Sequence, residues 1–169
     1  MQKALRLWSS ACVSGAILPE IHLRRDANLS PPLQWESVPE GSQSLTLLCF
    51  DPDAPQFWYH WVLANIPVSW HSLPQNFPRL RQTQGLIQGS NSFHQIGYDG
   101  PEPPPGEDHR YFFRLYALSQ ILNITPGMPG AQVAERLKGK VLGRSDFMVR
   151  ASSPALSNLR HLGQDFNLP

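Results

Sequence analysis

The sequence has little of what marks several large classes of protein. Its 169 residues include only two cysteines, Cys12 and Cys49, so no disulfide framework is predicted. The 14 basic residues are scattered and nearly balanced by 13 acidic ones, which argues against a nucleic-acid partner. No apolar run is long enough for a membrane span or for the core of an export signal. We therefore expect a cytoplasmic protein without a membrane span.

Prolines and glycines are frequent, and they divide the chain into short pieces. The 17 prolines and 12 glycines argue against long helices. Runs of β-branched, aromatic and apolar residues predict three strands, over Ser44–Phe50, Trp61–Ile66 and Tyr111–Leu118. In the third run both sets of alternating side chains are largely apolar. We therefore expect that strand at the centre of a sheet covered on both faces.

Two short helices and a closing strand are predicted towards the end of the chain. Val133, Leu137 and Val141 recur at four-residue spacing, which is typical of one face of a helix. A closing strand is expected over 146–150. A second helix is predicted over 153–163, with a serine at its N-cap and a glycine as its stop.

Polar residues follow the first predicted strand and begin the second. The segment D-P-D-A-P over 51–55 is stiffened by its prolines, and its carboxylates Asp51 and Asp53 lie beside an apolar strand. Read alone, this segment is more typical of a polar turn capped by aspartate than of a ligand site. His60 begins the next strand, which we expect to return beside the first. Its ring would then lie near both carboxylates, although a lone histidine there is more often a core residue.

A loop rich in glycine and proline leads into the third strand. Glycines expose backbone N–H groups, and N–H groups set close together form an anion-binding concavity. The loop over 97–106 is followed by His109 and Arg110, which add charge-assisted donors. A merely rigid surface loop would leave these residues unexplained. The three clusters together predict one small polar pocket.

In their order and spacing the three clusters resemble the phosphatidylethanolamine-binding protein family, in its bacterial Raf-kinase-inhibitor-like branch. The matching motifs are D-P-D-A-P, W-x-H-W-V, and G-Y-x-G-P-x-P-P-x-G followed by H-R-Y, and N-L-S-P-P-L-Q-W at 28–35 is similar too. The resemblance covers residues 5 to 150. It implies a mainly β fold, an antiparallel β-sandwich with one or two short helices. The whole chain, 1–169, is expected to form one domain with a core over 5–150 and a tail over 151–169.

The resemblance also implies a ligand. The pocket of this family takes anions such as phosphate, acetate or a phospholipid head group, and its name implies a protein kinase as a partner. No cofactor and no metal are predicted. The predicted ligand-binding residues are Asp51, Asp53, Pro55, Trp58, His60, Tyr98, Gly100, Pro103, Pro104, His109, Arg110 and Tyr111.

Aspartates in an anion site need a reason, and two are open. Asp51 and Asp53 either orient the nearby histidines and arginine, or one of them meets the ammonium of a zwitterionic head group. Either way, binding should depend on pH as the histidines lose their charge. Asp99 and Glu102 stand where the family usually has small neutral residues. We expect them at the lip of the pocket, where they would weaken the binding of dianions.

Two other functions stay open beside a binding module. Asp51, His60 and His109 have the groups for acid–base hydrolysis of a phosphate ester, although no serine has the sequence context of a nucleophile. Two histidines and a carboxylate also match the facial triad of iron enzymes.

The bond between Ala54 and Pro55 is predicted to be cis. Three roles are open for the tail: it could cover the pocket, pack on the outside of the domain, or pair with a second copy in a homodimer.

Overall fold

The computed structural model describes residues 3–155, which form nine strands and one α-helix. Every strand predicted from the sequence is present, and the third is longer than expected because it begins before the H-R-Y motif. The elements are β1 (Arg6–Trp8), β2 (Leu33–Glu36), β3 (Ser44–Asp51), β4 (Trp58–Ile66), β5 (Ser72–Leu73), β6 (Gln82–Thr83), β7 (Leu86–Gln88), β8 (Asp108–Leu118), α1 (Gly130–Arg136) and β9 (Val141–Ser152).

The strands form two antiparallel sheets. The smaller sheet has the order β1-β2-β5, and the larger has the order β6-β7-β4-β3-β8-β9. Within each sheet the paired strands run antiparallel. The mainly β, antiparallel architecture predicted from the sequence is therefore confirmed. No helix among the described residues is long and apolar enough to cross a membrane.

The larger sheet is covered on both faces, as the apolar alternation of its central strand predicts. One face packs against the smaller sheet, with Tyr111, Phe113 and Leu115 of β8 in the shared core. The other face carries a second apolar cluster, in which α1 contributes Val133 and the partly buried Phe112 packs alongside. All eight residues of β3 are buried, because this strand lies between β4 and β8 and is covered from both sides.

The helix is shorter than its apolar spacing predicts. Leu137 caps α1, and Gly139 then adopts a φ of 72°, a left-handed conformation that turns the chain. Val141, the third residue of the predicted apolar face, is instead half-exposed at the start of β9. That strand runs antiparallel along β8 and extends the short closing strand expected over 146–150. The helix predicted over 153–163 lies almost entirely outside the described residues.

The sheet topology brings the three polar clusters together at one end of the central strands. Asp51 ends β3 and is paired in register with Trp58, which begins β4. On the other side of β3, Phe50 is paired with Phe112 near the start of β8. The end of an antiparallel strand lies beside the beginnings of both neighbours. This end of the sheet therefore holds the D-P-D-A-P segment, His60 and His109.

Candidate functional site

A pocket of about 190 Å³ opens where β3 ends and β4 and β8 begin. Eight of the twelve residues predicted for the site line its wall, and the other four lie behind or beside it. Three further wall residues come from outside the prediction for the site. The lining residues are Asp51, Ala54, Pro55, Trp58, His60, Phe93, Glu102, Pro103, Pro104, His109 and Tyr111.

His109 is held between two carboxylates. Its Nδ1 lies 2.6 Å from Oδ2 of Asp51, and its Nε2 lies 2.6 Å from Oε2 of Glu107. An ionised carboxylate only accepts hydrogen bonds, so two such bonds need a proton on each ring nitrogen, and the contacts favour the imidazolium. Burial acts to lower the pKa of His109, but the bonds to Asp51 and Glu107 outweigh it and raise that pKa.

His60 is the opposite case. Its Nδ1 lies 2.7 Å from the backbone carbonyl oxygen of Asp99, which can only accept, so Nδ1 carries the proton. Only 3 % of the residue is exposed, and burial lowers the pKa of His60 despite that bond and the nearby Asp51. The ring packs edge-on against Phe93 and Tyr111. At neutral pH it therefore presents an uncharged Nε2 that accepts a hydrogen bond.

The D-P-D-A-P segment folds around the carboxylate of Asp51. Its Oδ1 accepts the backbone N–H groups of Asp53 and Ala54, at 2.8 and 3.1 Å, while Oδ2 binds His109. Burial, and then the neighbouring Asp51, raise the pKa of Tyr111, whose hydroxyl stays protonated. The described residues contain no cis peptide bond, so the prediction of a cis bond before Pro55 is wrong.

Asp53 and Arg110 lie beside the pocket and bind each other. Oδ2 of Asp53 accepts the backbone N–H and the Nε–H of Arg110 at 2.8 and 3.0 Å, and Oδ1 accepts Nη2–H at 2.8 Å. The side-chain hydrogen bonds from Arg110 lower the pKa of Asp53 to about 2. This geometry matches the expectation that the aspartates orient neighbouring donors, but neither side chain belongs to the pocket wall.

Tyr98 and Gly100 support the pocket from behind and do not line it. The Tyr98 hydroxyl is buried and donates to the carbonyl oxygen of His22 at 2.8 Å. The backbone N–H of Gly100 donates to Oδ1 of Asn28 at 2.7 Å, so it is not free for an anion. A Cβ at Gly100 would lie 2.0 Å from the carbonyl oxygen of His22. The glycine is therefore required for close backbone packing.

Asp99 is not at the lip of the pocket, which corrects the expectation from the sequence. The residue is 5 % exposed, and its carboxylate accepts hydrogen bonds from Asn28, Arg79 and Asn91 at 2.9, 2.9 and 2.7 Å. Burial acts to raise the pKa of Asp99, and these three donors outweigh it and lower that pKa. Its charge is compensated inside the protein, while its backbone carbonyl positions His60.

Glu102 does reach the pocket, where its charge is already paired. Its Oε2 lies 2.5 Å from Nη1 of Arg24, and the guanidinium of Arg24 lies 4.2 Å from the ring centre of Phe93.

Phe93 was missed by the sequence analysis because the segment around it has no motif. Glu107 was missed as well, although a position two residues before His109 at a strand entrance predicts the same side of the strand.

The arrangement does not support the metal-site alternative. Within residues 3–155 no group of three or more histidine, cysteine, aspartate or glutamate side chains is arranged to hold a metal ion. The reason lies in the hydrogen bonds of the proposed triad. Both ring nitrogens of His109 bind carboxylates, and Nδ1 of His60 binds a carbonyl oxygen. These bonds tie Asp51 to His109 and tie His60 separately to the backbone of Asp99, so these ring nitrogens are engaged in hydrogen bonds within the protein.

A larger open recess lies on the other side of Trp58. It measures about 360 Å³ and is bounded by the 56–59 segment, the 90–94 segment and the start of α1. Apart from Trp58 it contains none of the predicted site residues. Its side chains are mainly neutral, and Ser92 accepts the backbone N–H of Tyr59. The smaller pocket, with its two histidines and buried carboxylate, is the stronger candidate for chemistry.

Two antiparallel sheets, with a histidine-containing pocket at the ends of central strands of the larger one, define the class of protein. The model of the family described as phosphatidylethanolamine-binding protein matches residues 8–152, and the chain belongs to this family. A UPF0098 protein of Methanothermobacter thermautotrophicus is 48 % identical over 123 residues, which cover 72 % of this chain and 81 % of that protein. The UPF0098 protein YbhB of Escherichia coli is 37 % identical over 139 residues, covering 76 % and 88 %.

Solved structures have the same fold. Escherichia coli YbcL, described as a member of the mammalian family, superposes with a TM-score of 0.83 at 29 % identity, covering 89 % of this chain and 99 % of its own. The homologue CT736 of Chlamydia trachomatis gives a TM-score of 0.79 at 29 % identity, covering 89 % and 98 %. Each superposition covers 89 % of this chain.

Proposed function

We propose that this protein is a binding module for a small ligand with an acidic group, such as phosphate, acetate or a phospholipid head group. The observation that carries the proposal is the imidazolium of His109, held against Asp51 in the wall of a largely apolar pocket. A buried cation beside aromatic and proline side chains attracts an anion more strongly than it would in water. The family to which the chain belongs supports the same proposal.

The two histidines give the pocket complementary hydrogen-bonding groups. His109 is a cation whose Nε2–H bonds the exposed side chain of Glu107, and this N–H becomes a donor for a ligand when Glu107 is displaced. The Nε2 of neutral His60 is an acceptor. A ligand that combines an anionic oxygen with a donor suits both, and a protonated phosphate or a zwitterionic phosphoethanolamine has this combination. A pocket of about 190 Å³ is smaller than typical sites for drug-sized ligands. It has room for a head group or a free ion, and the acyl chains of a lipid would stay outside.

Titration of the purified protein with inorganic phosphate and with phosphoethanolamine tests the proposal. Calorimetry gives the affinity, and the ring signals of the histidines in NMR spectra report the place of binding. We expect His109→Gln to weaken phosphate binding at least about tenfold, which corresponds to the loss of one charge-assisted hydrogen bond. His71→Gln is the matched control, because His71 is exposed beside β5 in the smaller sheet.

Two results would contradict the proposal. One is the absence of saturable binding in the unmodified protein, and the other is equal binding by the His109→Gln variant.

Turnover of an activated phosphate ester that disappears in His60→Ala would instead support the hydrolase alternative, with His60 as the base. Kinase regulation, which the family resemblance implies, is a separate and finer hypothesis. A binding assay with a purified Raf-type kinase domain, with and without phosphoethanolamine, tests it.

A further inference from the structure

The second ring nitrogen of His109 is occupied by a residue of the same chain. Nε2 lies 2.6 Å from Oε2 of Glu107, and Nδ1 lies equally close to Asp51. An imidazolium has two N–H groups. One of them is needed to hold the ring against Asp51, so the other is the donor left for a ligand. In this structure a carboxylate of the protein takes the place that a ligand anion would take.

Glu107 has an anchored backbone and a side chain that is free to move. Its carbonyl oxygen accepts the backbone N–H of Ser153 at 3.1 Å, and its own N–H donates to the carbonyl oxygen of Pro104 at 3.0 Å. Its side chain, in contrast, is 53 % exposed, whereas that of His109 is 5 % exposed. Rotation of the Glu107 side chain into solvent would free Nε2 without moving the loop or β8.

The charges around the pocket make this exchange sensitive to the charge of the ligand. Asp51, Glu102 and Glu107 contribute three carboxylates, and His109 and Arg24 contribute two cations. Glu102 is paired with Arg24, and Asp51 is paired with His109, so Glu107 is the carboxylate in excess. A ligand that displaces it would still have this negative charge nearby. A dianion is repelled about twice as strongly as a monoanion at the same distance.

We propose that Glu107 determines which anions the pocket accepts, as an internal competitor at His109 that selects against dianions. This inference rests on the proposed function, because it concerns the ligand of the same pocket. It also goes beyond that proposal, since it assigns a specificity-determining role to a residue outside the family motifs. Glu107 stands in G-E-D-H, between the glycine–proline loop and the histidine.

Glu107→Gln tests the inference, because it keeps the shape of the side chain and removes the charge. We expect phosphate to bind at least about tenfold more tightly to this variant at pH 7.5, where most of the phosphate is a dianion. Acetate, a monoanion, should gain less. The NMR titration of the His109 ring should also shift to a lower pKa, because one of its two carboxylate partners is gone.

Asp108→Asn is the matched control. It makes the same change of charge at the next residue, where the carboxylate is exposed and bound to Arg150 instead of His109. It should leave both affinities and the titration of His109 unchanged. Glu107→Ala is a second variant that should also favour phosphate, and thermal melting shows that each variant is folded.

The possible outcomes separate the inference from the proposed function. Equal gains for phosphate and acetate, no gain, or weaker binding by both Glu107 variants would overturn the inference while leaving a pocket that binds anions. An equal gain in the Asp108→Asn control would also overturn it, because a general change of charge would then explain the effect. A gain for phosphate that exceeds the gain for acetate in both Glu107 variants, and that is absent from the control, would support it. If no protein in the series binds phosphate or acetate, the proposed function fails and the inference fails with it.

Discussion

The buried carboxylate of Asp99 offers a sharp test of the structure, because the sequence and the structure assign it different roles. As an acid at the lip, Asp99 would repel anions and contribute little to stability. As a buried acceptor for Asn28, Arg79 and Asn91, it should contribute strongly to the free energy of unfolding. The substitution Asp99→Asn distinguishes the two, since it removes the charge and keeps the size of the side chain.

The magnitude follows from the hydrogen bonds. Asparagine has one acceptor oxygen and two N–H donors, so its amide nitrogen would face at least one of the three donors around it. Removal of one partner of a buried ion pair costs about 3–5 kcal/mol. The side chain of Arg79 is 43 % exposed, and water offsets part of this loss. We therefore expect a loss of about 3 kcal/mol, or roughly 10 °C in Tm for a domain of this size.

Urea denaturation at pH 7, followed by circular dichroism, measures this loss, and phosphate titration is run in parallel. The pKa of Asp99 is lowered in the folded state, so its stabilisation is present above the unfolded value near ~3.9 and is lost as the pH falls through the folded value. The difference between the two proteins should therefore shrink below about pH 4. Glu102→Gln, at a half-exposed pair, should cost only about 0–1 kcal/mol. Unchanged stability of Asp99→Asn together with tighter phosphate binding would refute the reasoning.

Two further predictions follow from the ion pairs beside the pocket. Arg110→Met should return the pKa of Asp53 from about 2 towards its ordinary value, because the lost guanidinium bonds are the main cause of the shift. NMR titration of the Asp53 carboxyl checks this, and a value already near 4 in the unmodified protein would contradict it. Acetate binding should persist above pH 6.5 and weaken only as the pH rises through the raised pKa of His109. Calorimetry from pH 6 to 9, where acetate keeps its charge, measures this, and affinity that is constant across the range would count against a cationic His109.

The strands and the location of the pocket could be predicted because their signals are local or belong to motifs. Alternating apolar residues predict β8 as a strand with two covered faces, and its two faces do pack in separate apolar clusters. The H-R-Y and D-P-D-A-P motifs lie at adjacent strand ends, which an antiparallel pairing brings together. The predicted extent of α1 was wrong, because Gly139 adopts a positive φ and the helical apolar spacing does not continue beyond it.

The details of the pocket could not be predicted, since they depend on partners distant in the sequence. Asp99 looks like an exposed loop acid until Asn28 and Arg79, 71 and 20 residues away, are seen to bind it. Gly100 looks like a free N–H donor until the same asparagine accepts its bond. Each of these contacts joins loops whose relative positions are set by the packing of two sheets. No local pattern in the sequence contains that information.

The two histidines illustrate how one pocket gives the same residue type two different roles. Both would lose their charge near pH 6.5 in an unfolded chain. His60 is surrounded by aromatic rings and bonded to a carbonyl oxygen, so burial dominates and keeps it neutral. His109 is nearly as buried, but its two carboxylate partners keep it charged. Because the two pKa values are driven apart, a donor cation and a neutral acceptor coexist at the pH values that lie between them. A ligand with both an anionic oxygen and a donor is therefore better matched to the pocket than a fully ionised phosphate, and Glu107 strengthens this preference.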